Sequence, residues 1–357
     1  MMRISLVGGY GYTGKLICKE LNKTKYSYSI YGRNIDKLDQ LSKEESNILN
    51  SKEIDLRRIE DVKFITENSD IIINCAGPFT EESFLLVENA AISGKIYLDI
   101  SGEIGFVKKS YDRLHAISKK NNALIIHSCA FESLVSDLLL HYLNEENEIK
   151  TVQTFYKFNQ KKVSPGTRLT MKLNKFRRSL KIQNNKWMDC DFKKDHLQTL
   201  FENDKEVAIP YSLPEVAFSK WNFDVSKAES FLIVEKNESK FLMNNKFVEG
   251  DSLKELDRLR LKTYKGPEAK NRIEQKCKIF VNINQGYQNS KTLQADVKDM
   301  YLFTAKAIVQ TLEKIIENKM KMTGLISPGQ IFSKDILTSI KNLNIKLNLQ
   351  SKFKIDD

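Results

Sequence analysis

The 357-residue sequence predicts an α/β fold: a doubly wound parallel sheet in residues 1–148, followed by an α+β domain in residues 149–357. Three observations carry this expectation. Short β-branched runs alternate with helical patterns through the first 148 residues. One of these runs, "DIIINCAG" (70–77), is apolar almost without a break, as a strand covered on both faces must be. Beyond residue 149 the regular alternation stops.

The elements follow in order. "RISLVG" (3–8) is the first strand, and a helix runs over "TGKLICKELNK". "YSYSIYG" (26–32) is the second strand, with a helix through "NIDKLDQLSKEE". "SKEIDL" (51–56) is the third and "DIIINCAG" the fourth, succeeded by a helix over "EESFLLVENAAISG". "KIYLDISG" (95–102) and "NALIIHSCAF" (122–131) are the fifth and sixth, separated by a helix over "GFVKKSYDRLHAISKK". Right-handed crossovers then bring the turns after strands one and four side by side at the carboxyl edge of the sheet, where ligands bind. In the second part, "IKTVQTFYKFN" (149–159) reads as a strand and "GTRLTMKLNKFRRSL" (166–180) as an amphipathic helix with a basic face. "ESFLIVE" and "KFLMNN" read as short strands, and residues 272–300 as a hairpin around a glycine-containing turn. Two helices, over 300–319 and 327–343, close the chain.

Composition narrows the class. A hydrophobic fraction of 41% suits a globular chain, and no apolar run reaches the ~18–20 residues that span a bilayer. "MMRISLVGG" lacks the parts of a signal peptide, so a cytoplasmic location is expected. Five widely spaced cysteines and four histidines form neither a disulfide framework nor a metal-ligand spacing, so no metal is expected. The net charge of +11 divides into −4 over residues 1–149 (18 Lys+Arg, 22 Asp+Glu) and +15 over the rest (39 against 24). A basic second half suits an anionic membrane surface or an acyl carrier. A lysine-, asparagine- and isoleucine-rich composition of the kind an AT-rich genome produces accounts for the charge equally well. Nucleic acid is not an expected partner, and a homodimer is admitted.

The stretch "LVGGYGYTGK" (6–15) has glycines at 8, 11 and 14, between a strand and a helix inside a βαβ unit. That is the context a dinucleotide fingerprint requires, and it makes the first domain Rossmann-type. Gly8 permits a tight turn, Gly11 lets backbone N–H groups approach a pyrophosphate, and Gly14 lets helix and strand pack closely. Gly9, Tyr10, Tyr12 and Thr13 complete the loop. Strand two ends in Tyr31-Gly32-Arg33-Asn34, with no acid for a ribose 2′-hydroxyl. Arg33, beside Asn34, can pair with a 2′-phosphate, so the cofactor expected is NADP(H). Cys75, Ala76, Gly77 and Pro78 form a small-residue turn that borders the nicotinamide side. Strands five and six end in "YLDISGE" and "HSCAFESLVSD", which bring Asp99, Ser101, Glu103, His127, Cys129, Glu132, Ser133 and Asp137 to the same edge. Glu103 and Glu132 are the candidate catalytic, proton-handling groups; Ser101, His127 and Ser133 are the candidate substrate contacts. Each has an ordinary structural role to set against this: helix capping for the two glutamates and Ser133, a satisfied core position for His127.

These segments, GGYGYTG, YGR, NCAGPF, YLDISGE and HSCAFESLVSD, resemble the saccharopine dehydrogenase-like oxidoreductases, in the branch that includes trans-acting enoyl reductases. The likeness continues in "SPGTRL" (164–169), "GPEAKNR" (266–272), "TAKAI" (304–308) and "GLISPGQIF" (324–332). The chain departs from the family's G-F-D-S-x-P-S-D pattern at Ala130, Glu132 and Val135. The resemblance implies reduction by NADPH of a C=C, C=O or C=N bond in a small or lipid-linked acyl substrate. The sole tyrosine–lysine pair at a spacing of four, Tyr287 and Lys291, falls in the hairpin turn rather than on a helix. The competing class is a non-catalytic NADP(H)-binding redox sensor or membrane-associated scaffold.

Overall fold

The computed structural model describes residues 2–144, 148–159, 163–167, 179–191, 194–198, 206–237, 239, 266–286, 290–317, 321–333 and 336–348. The first part alternates β1 (Ile4–Val7), α1 (Tyr12–Leu21), β2 (Tyr28–Gly32), α2 (Ile35–Glu44), β3 (Ile48–Glu53), α3 (Ile59–Glu67), β4 (Ile71–Asn74), α4 (Glu81–Ile92), β5 (Ile96–Asp99), α5 (Ile104–Lys120), β6 (Leu124–Ile126) and α6 (Phe131–Leu143). There follow β7 (Thr151–Asn159), β8 (Leu180–Gln183), β9 (Lys186–Asp189), β10 (Leu197–Gln198), β11 (Glu206–Pro210), α7 (Glu215–Phe223), β12 (Lys227–Glu235), α8 (Ala269–Ile273), β13 (Lys276–Asn284) and β14 (Ser290–Lys298). The chain closes with α9 (Met300–Glu317), β15 (Gly324–Ile326), α10 (Pro328–Phe332), α11 (Ile336–Asn342) and β16 (Lys346–Asn348).

Where the sequence predicts one cut after residue 148, the chain forms two compact units that interleave. One comprises residues 1–131, 164–170 and 301–331, the other 132–163, 171–300 and 332–357. The first unit holds a seven-stranded sheet in the order β15-β6-β5-β4-β1-β2-β3. All its pairings are parallel. Every residue of β1 and β4 is buried, which explains their largely apolar sequence. Val7 pairs with Tyr31 and Asn74, and Asn74 with Asp99, so the carboxyl ends of four strands stand level. The third strand begins at Ile48 rather than Ser51. As an edge strand with Leu49 72% exposed, it carries no clean apolar alternation by which to place its start.

The seventh strand is supplied from far along the sequence. Gly324 donates its N–H to the Ala123 carbonyl, and the Leu325 N–H bonds Nδ1 of His115 at 3.2 Å. This docks β15 beside β6 and closes an edge that residues 1–148 leave open.

The second unit is built on a mixed sheet in the order β10-β11-β12-β7-β13-β14-β16, with β8 and β9 joined through β12. The hairpin predicted over 272–300 is β13–β14, paired from Lys276–Lys298 to Asn284–Ser290. Phe155 and Phe231 stack with centroids 5.1 Å apart in a core with Ala208, Ile233 and Phe280. The basic helix expected over 166–180, with Lys172, Lys175, Arg177 and Arg178, lies mostly outside the described residues, as do the "KFLMNN" strand and Tyr287. Its expected last residue, Leu180, instead opens β8. Lys181, the next residue, is buried, with Nζ 2.6 Å from Asp195 Oδ1. No helix among the described residues is long and apolar enough to cross a membrane.

Candidate functional site

The glycine run joins β1 to α1. The chain turns at Gly8, where φ is +79°; the Gly8 N–H bonds the Tyr31 carbonyl at 2.8 Å, and the Gly11 N–H bonds the Gly8 carbonyl at 2.9 Å. A Cβ on Gly8 would lie 2.9 Å from Ala76 N, and one on Gly14 would lie 2.4 Å from the Gly8 oxygen. Both obstacles are backbone, so no rotamer change relieves them. Gly9 lies against Leu6, Ile30 and Leu41. Gly11 caps α1 without a side chain, and the first turn, with Tyr12, Thr13 and Gly14, carries no acid. The N–H groups at the positive pole of α1 therefore make a cradle for an anion. Tyr12 meets Tyr301 of α9 edge-on at 4.9 Å, and the Tyr301 hydroxyl accepts the Ser164 N–H at 2.7 Å. The "SPGT" segment is thus tied to the glycine loop within the same unit.

The turn after β4 lies against this loop. Cys75 donates its N–H to the Val7 carbonyl, and the Ala76 N–H bonds Asn74 Oδ1 at 3.0 Å. Asn74 Nδ2 in turn donates to the Tyr97 hydroxyl. The Gly77–Pro78 peptide is cis. Burial pushes the Cys75 thiol well above its usual pKa, which favours the neutral thiol. At the end of β2 no acid is present. The Tyr10 hydroxyl accepts the Arg33 N–H at 3.1 Å, Arg33 is exposed, and the Asn34 side chain caps α2 by accepting the Lys37 N–H.

Asp99 organises the ends of β5 and β6. Its Oδ1 accepts the Ser101 and Ser128 N–H groups and the Ser101 hydroxyl; its Oδ2 lies 2.6 Å from His127 Nδ1. Burial opposes the charge on Asp99, but His127 and the N–H donors outweigh it and hold the carboxyl below its ordinary range. Among the described residues His127 Nε2 is buried without a partner, and Phe106 and Tyr97 meet the ring edge-on. Glu103, also buried, accepts the Phe79 N–H on Oε1 and the Gly102 N–H on Oε2, holding together the loops after β4 and β5.

Of the polar residues expected in one group, Asp99, Ser101, Glu103, His127 and Cys129 belong to the first unit and Glu132, Ser133 and Asp137 to the second. In the second unit Glu215 of α7 is buried, with Oε1 accepting from Ser230 and Oε2 from Ser133. Desolvation, only partly offset by these hydroxyls, pushes its carboxyl up to about 7. Glu132 is half-buried as a residue, yet desolvation and the nearby Glu215 push its carboxyl up to about 8. Ser136 bonds the Tyr156 hydroxyl at 2.8 Å and completes the network. Asp137 accepts a hydrogen bond from Asn222 of α7. The sequence offers no sign of Glu215: an acid after Leu213-Pro214 reads as an exposed residue in a helix first turn, and only tertiary packing buries it.

No family model matches the chain. It is similar to a trans-acting enoyl reductase of Mycobacterium ulcerans, 28% identical over 149 residues that make up 39% of this chain and 35% of that protein. It is also similar to a probable mitochondrial saccharopine dehydrogenase-like oxidoreductase of Arabidopsis thaliana, 27% identical over 150 residues, 37% of this chain and 32% of that one. The matches thus span about a third of these relatives. Among solved structures, apo saccharopine dehydrogenase (L-Glu forming) from Saccharomyces cerevisiae superposes with a TM-score of 0.64 at 9% identity, covering 98% of this chain and 100% of that one. The matched relatives thus carry the names of an enoyl reductase and a saccharopine dehydrogenase-like oxidoreductase, and the chain shares the fold of a saccharopine dehydrogenase.

Proposed function

We propose that the chain is an NADPH-dependent oxidoreductase that reduces a C=C, C=O or C=N bond of a small or lipid-linked substrate. One observation carries the reading: Gly8 and Gly14 leave no room for side chains around the positive pole of α1, at a sheet edge where Arg33, not an acid, follows β2. These residues fit a dinucleotide. The N–H groups of α1 would hold the pyrophosphate, Arg33 a ribose 2′-phosphate, and the Cys75–Pro78 backbone would border the nicotinamide. When bound, the nicotinamide supplies a hydride. The candidate catalytic glutamates are Glu103, whose carboxylate is occupied by backbone N–H groups, and Glu132, whose carboxyl is pushed up to about 8 by burial. Substrate class rests on the relatives' names and on the family resemblance. The proposed setting is the cytoplasm, with contact to an anionic membrane surface or an acyl carrier through the basic second half.

Titration of the natural protein with NADPH and NADH tests the cofactor. NADPH should bind more tightly, and Arg33→Ala should weaken it roughly ten- to a hundredfold while leaving NADH nearly unchanged, the worth of one charge-assisted bond. Equal affinities in the natural protein would overturn the NADPH assignment. Turnover is tested by NADPH oxidation with enoyl, keto and imine substrates, where at least one of Glu103→Gln and Glu132→Gln should lower the rate by ~10²–10⁴-fold. A second reading, a non-catalytic NADP(H)-binding sensor or scaffold, is favoured by the enclosure of Ser101, Glu103 and His127, all buried in the first unit. Binding of NADPH without turnover of any substrate would select it.

A further inference from the structure

We propose that Tyr10 is a specificity-determining residue of the dinucleotide site: its ring occupies the space that an acid at the end of β2 would need, and so steers the site from a ribose 2′-hydroxyl to a 2′-phosphate. The inference rests on the dinucleotide reading above and deepens it.

Gly32 is the last residue of β2 and follows the glycine loop within the same βαβ unit. In dinucleotide-binding units, an acid about 20 residues beyond the loop accepts the 2′-hydroxyl. A Cβ built on Gly32 would lie 2.5 Å from Cε1, 3.2 Å from Cζ and 3.3 Å from Cδ1 of Tyr10. Any side chain at 32 therefore runs into the ring. The ring is also anchored. Its hydroxyl accepts the Arg33 N–H at 3.1 Å, and Lys37 Nζ of α2 stands 5.8 Å from its centroid. Because Tyr10 lies between Gly9 and Gly11, this anchor couples the pyrophosphate loop to the tip of β2.

The charges beside the ring suit a phosphate. Arg33 and Lys37 are both exposed there, at the N-terminal end of the ten-residue α2. Three acids are near. Glu53 of β3 is the register partner of Gly32, Asp36 lies in the first turn of α2, and Asp55 is held by Arg57, whose Nε lies 3.0 Å from both its carboxylate oxygens. Arg57 is the main partner of Asp55, and the charge of Arg33 acts on it more weakly. A carboxylate at 32 would add a further negative charge at this point and repel a 2′-phosphate of about −1.5 to −2 charge.

The test is a set of binding titrations with NADPH, NADH, 2′,5′-ADP and 5′-ADP on Gly32→Asp, Tyr10→Ala, the double variant and Tyr10→Phe, with melting curves to verify folding. Gly32→Asp alone should lose at least about tenfold of NADPH affinity without gaining NADH, because the ring blocks the new carboxylate. The double variant should gain about tenfold for NADH over the natural protein and lose its preference for 2′,5′-ADP over 5′-ADP. That outcome is a strong departure from additivity between the two sites. Tyr10→Phe, which keeps the ring, should keep the NADPH-to-NADH ratio, and Tyr10→Ala should keep it too, because residue 32 is still glycine and brings no carboxylate into the vacated space. The proposal is overturned if Gly32→Asp gains NADH with Tyr10 in place or if the two substitutions combine additively. If the natural protein prefers NADPH while these results appear, the inference alone falls. If the natural protein binds neither dinucleotide, the proposed function falls with it.

Discussion

Asp99 and His127, at the ends of neighbouring parallel strands, are joined through Oδ2 and Nδ1 at 2.6 Å with both side chains almost wholly withdrawn from solvent. The same carboxylate collects the N–H groups of Ser101 and Ser128, so one residue ties down two loops at the carboxyl edge of the sheet. The consequence is a rigid floor beside the Asn74–Pro78 turn, the edge at which an open parallel sheet receives its ligand.

Asp99→Asn should therefore destabilise the protein by about 3–5 kcal/mol, since it removes the charge that His127 and the N–H donors were arranged around. The folded-state pKa of Asp99 is depressed, so its stabilising contribution is present above the unfolded carboxyl pKa and is lost as pH falls through the lower folded value. Denaturant unfolding at pH 7 and in strong acid checks this: the gap between natural and variant proteins should narrow in acid. A gap of the same size at both pH values would show that the charge on Asp99 is not what stabilises the edge.

The buried glutamates of the second unit work in the opposite direction. The carboxyls of Glu132 and Glu215 are pushed up to about 8 and about 7, so the folded state binds more protons than the unfolded state between the ordinary carboxyl pKa and those values. Stability contributed by their neutral forms is present at low pH and is lost as pH rises through this window. Glu132→Gln and Glu215→Gln should melt closer to their acid-pH temperature at pH 9 than the natural protein does, by about 2–4 °C for each kcal/mol of penalty lifted. Parallel melting profiles for natural and variant proteins would show that neither carboxyl is held neutral.

Gly14→Ala places a methyl carbon 2.4 Å from the Gly8 carbonyl oxygen and 2.7 Å from that of Gly9, with no side chain able to yield. The loop must shift, and both dinucleotides should bind at least about tenfold more weakly while circular dichroism stays near natural. Gly105→Ala is the control, because a Cβ there meets nothing within 4 Å and binding should be unaffected.

A fragment ending at residue 148 should not behave as an independent domain. It lacks α9 and β15, and it exposes the β6 edge that Gly324–Ile326 covers. Its expression should give aggregated material or a chain with little hydrogen-exchange protection in β6. A version of the fragment with residues 301–331 linked back should recover that protection.

The sequence by itself determined the succession of strands and helices in the first unit, because apolar periodicity and strand burial are local properties of the chain. It also determined the glycine cradle and the absence of an acid at the end of β2, since backbone clearance and charge are fixed by residue type at a known place in a βαβ unit. Tertiary structure alone decided three things. It brought residues 301–331 back to complete the parallel sheet, through a three-residue strand too short to carry any periodic signal. It placed Glu132 and Ser133 in the second unit, the division falling just after Phe131, the first residue of α6. It gave Glu215 and Tyr10 their settings, one by removing a carboxylate from water and the other by seating a ring on Gly32. Each depends on partners far along the chain, and the physical quantities involved, desolvation and steric exclusion, exist only once those partners are in place.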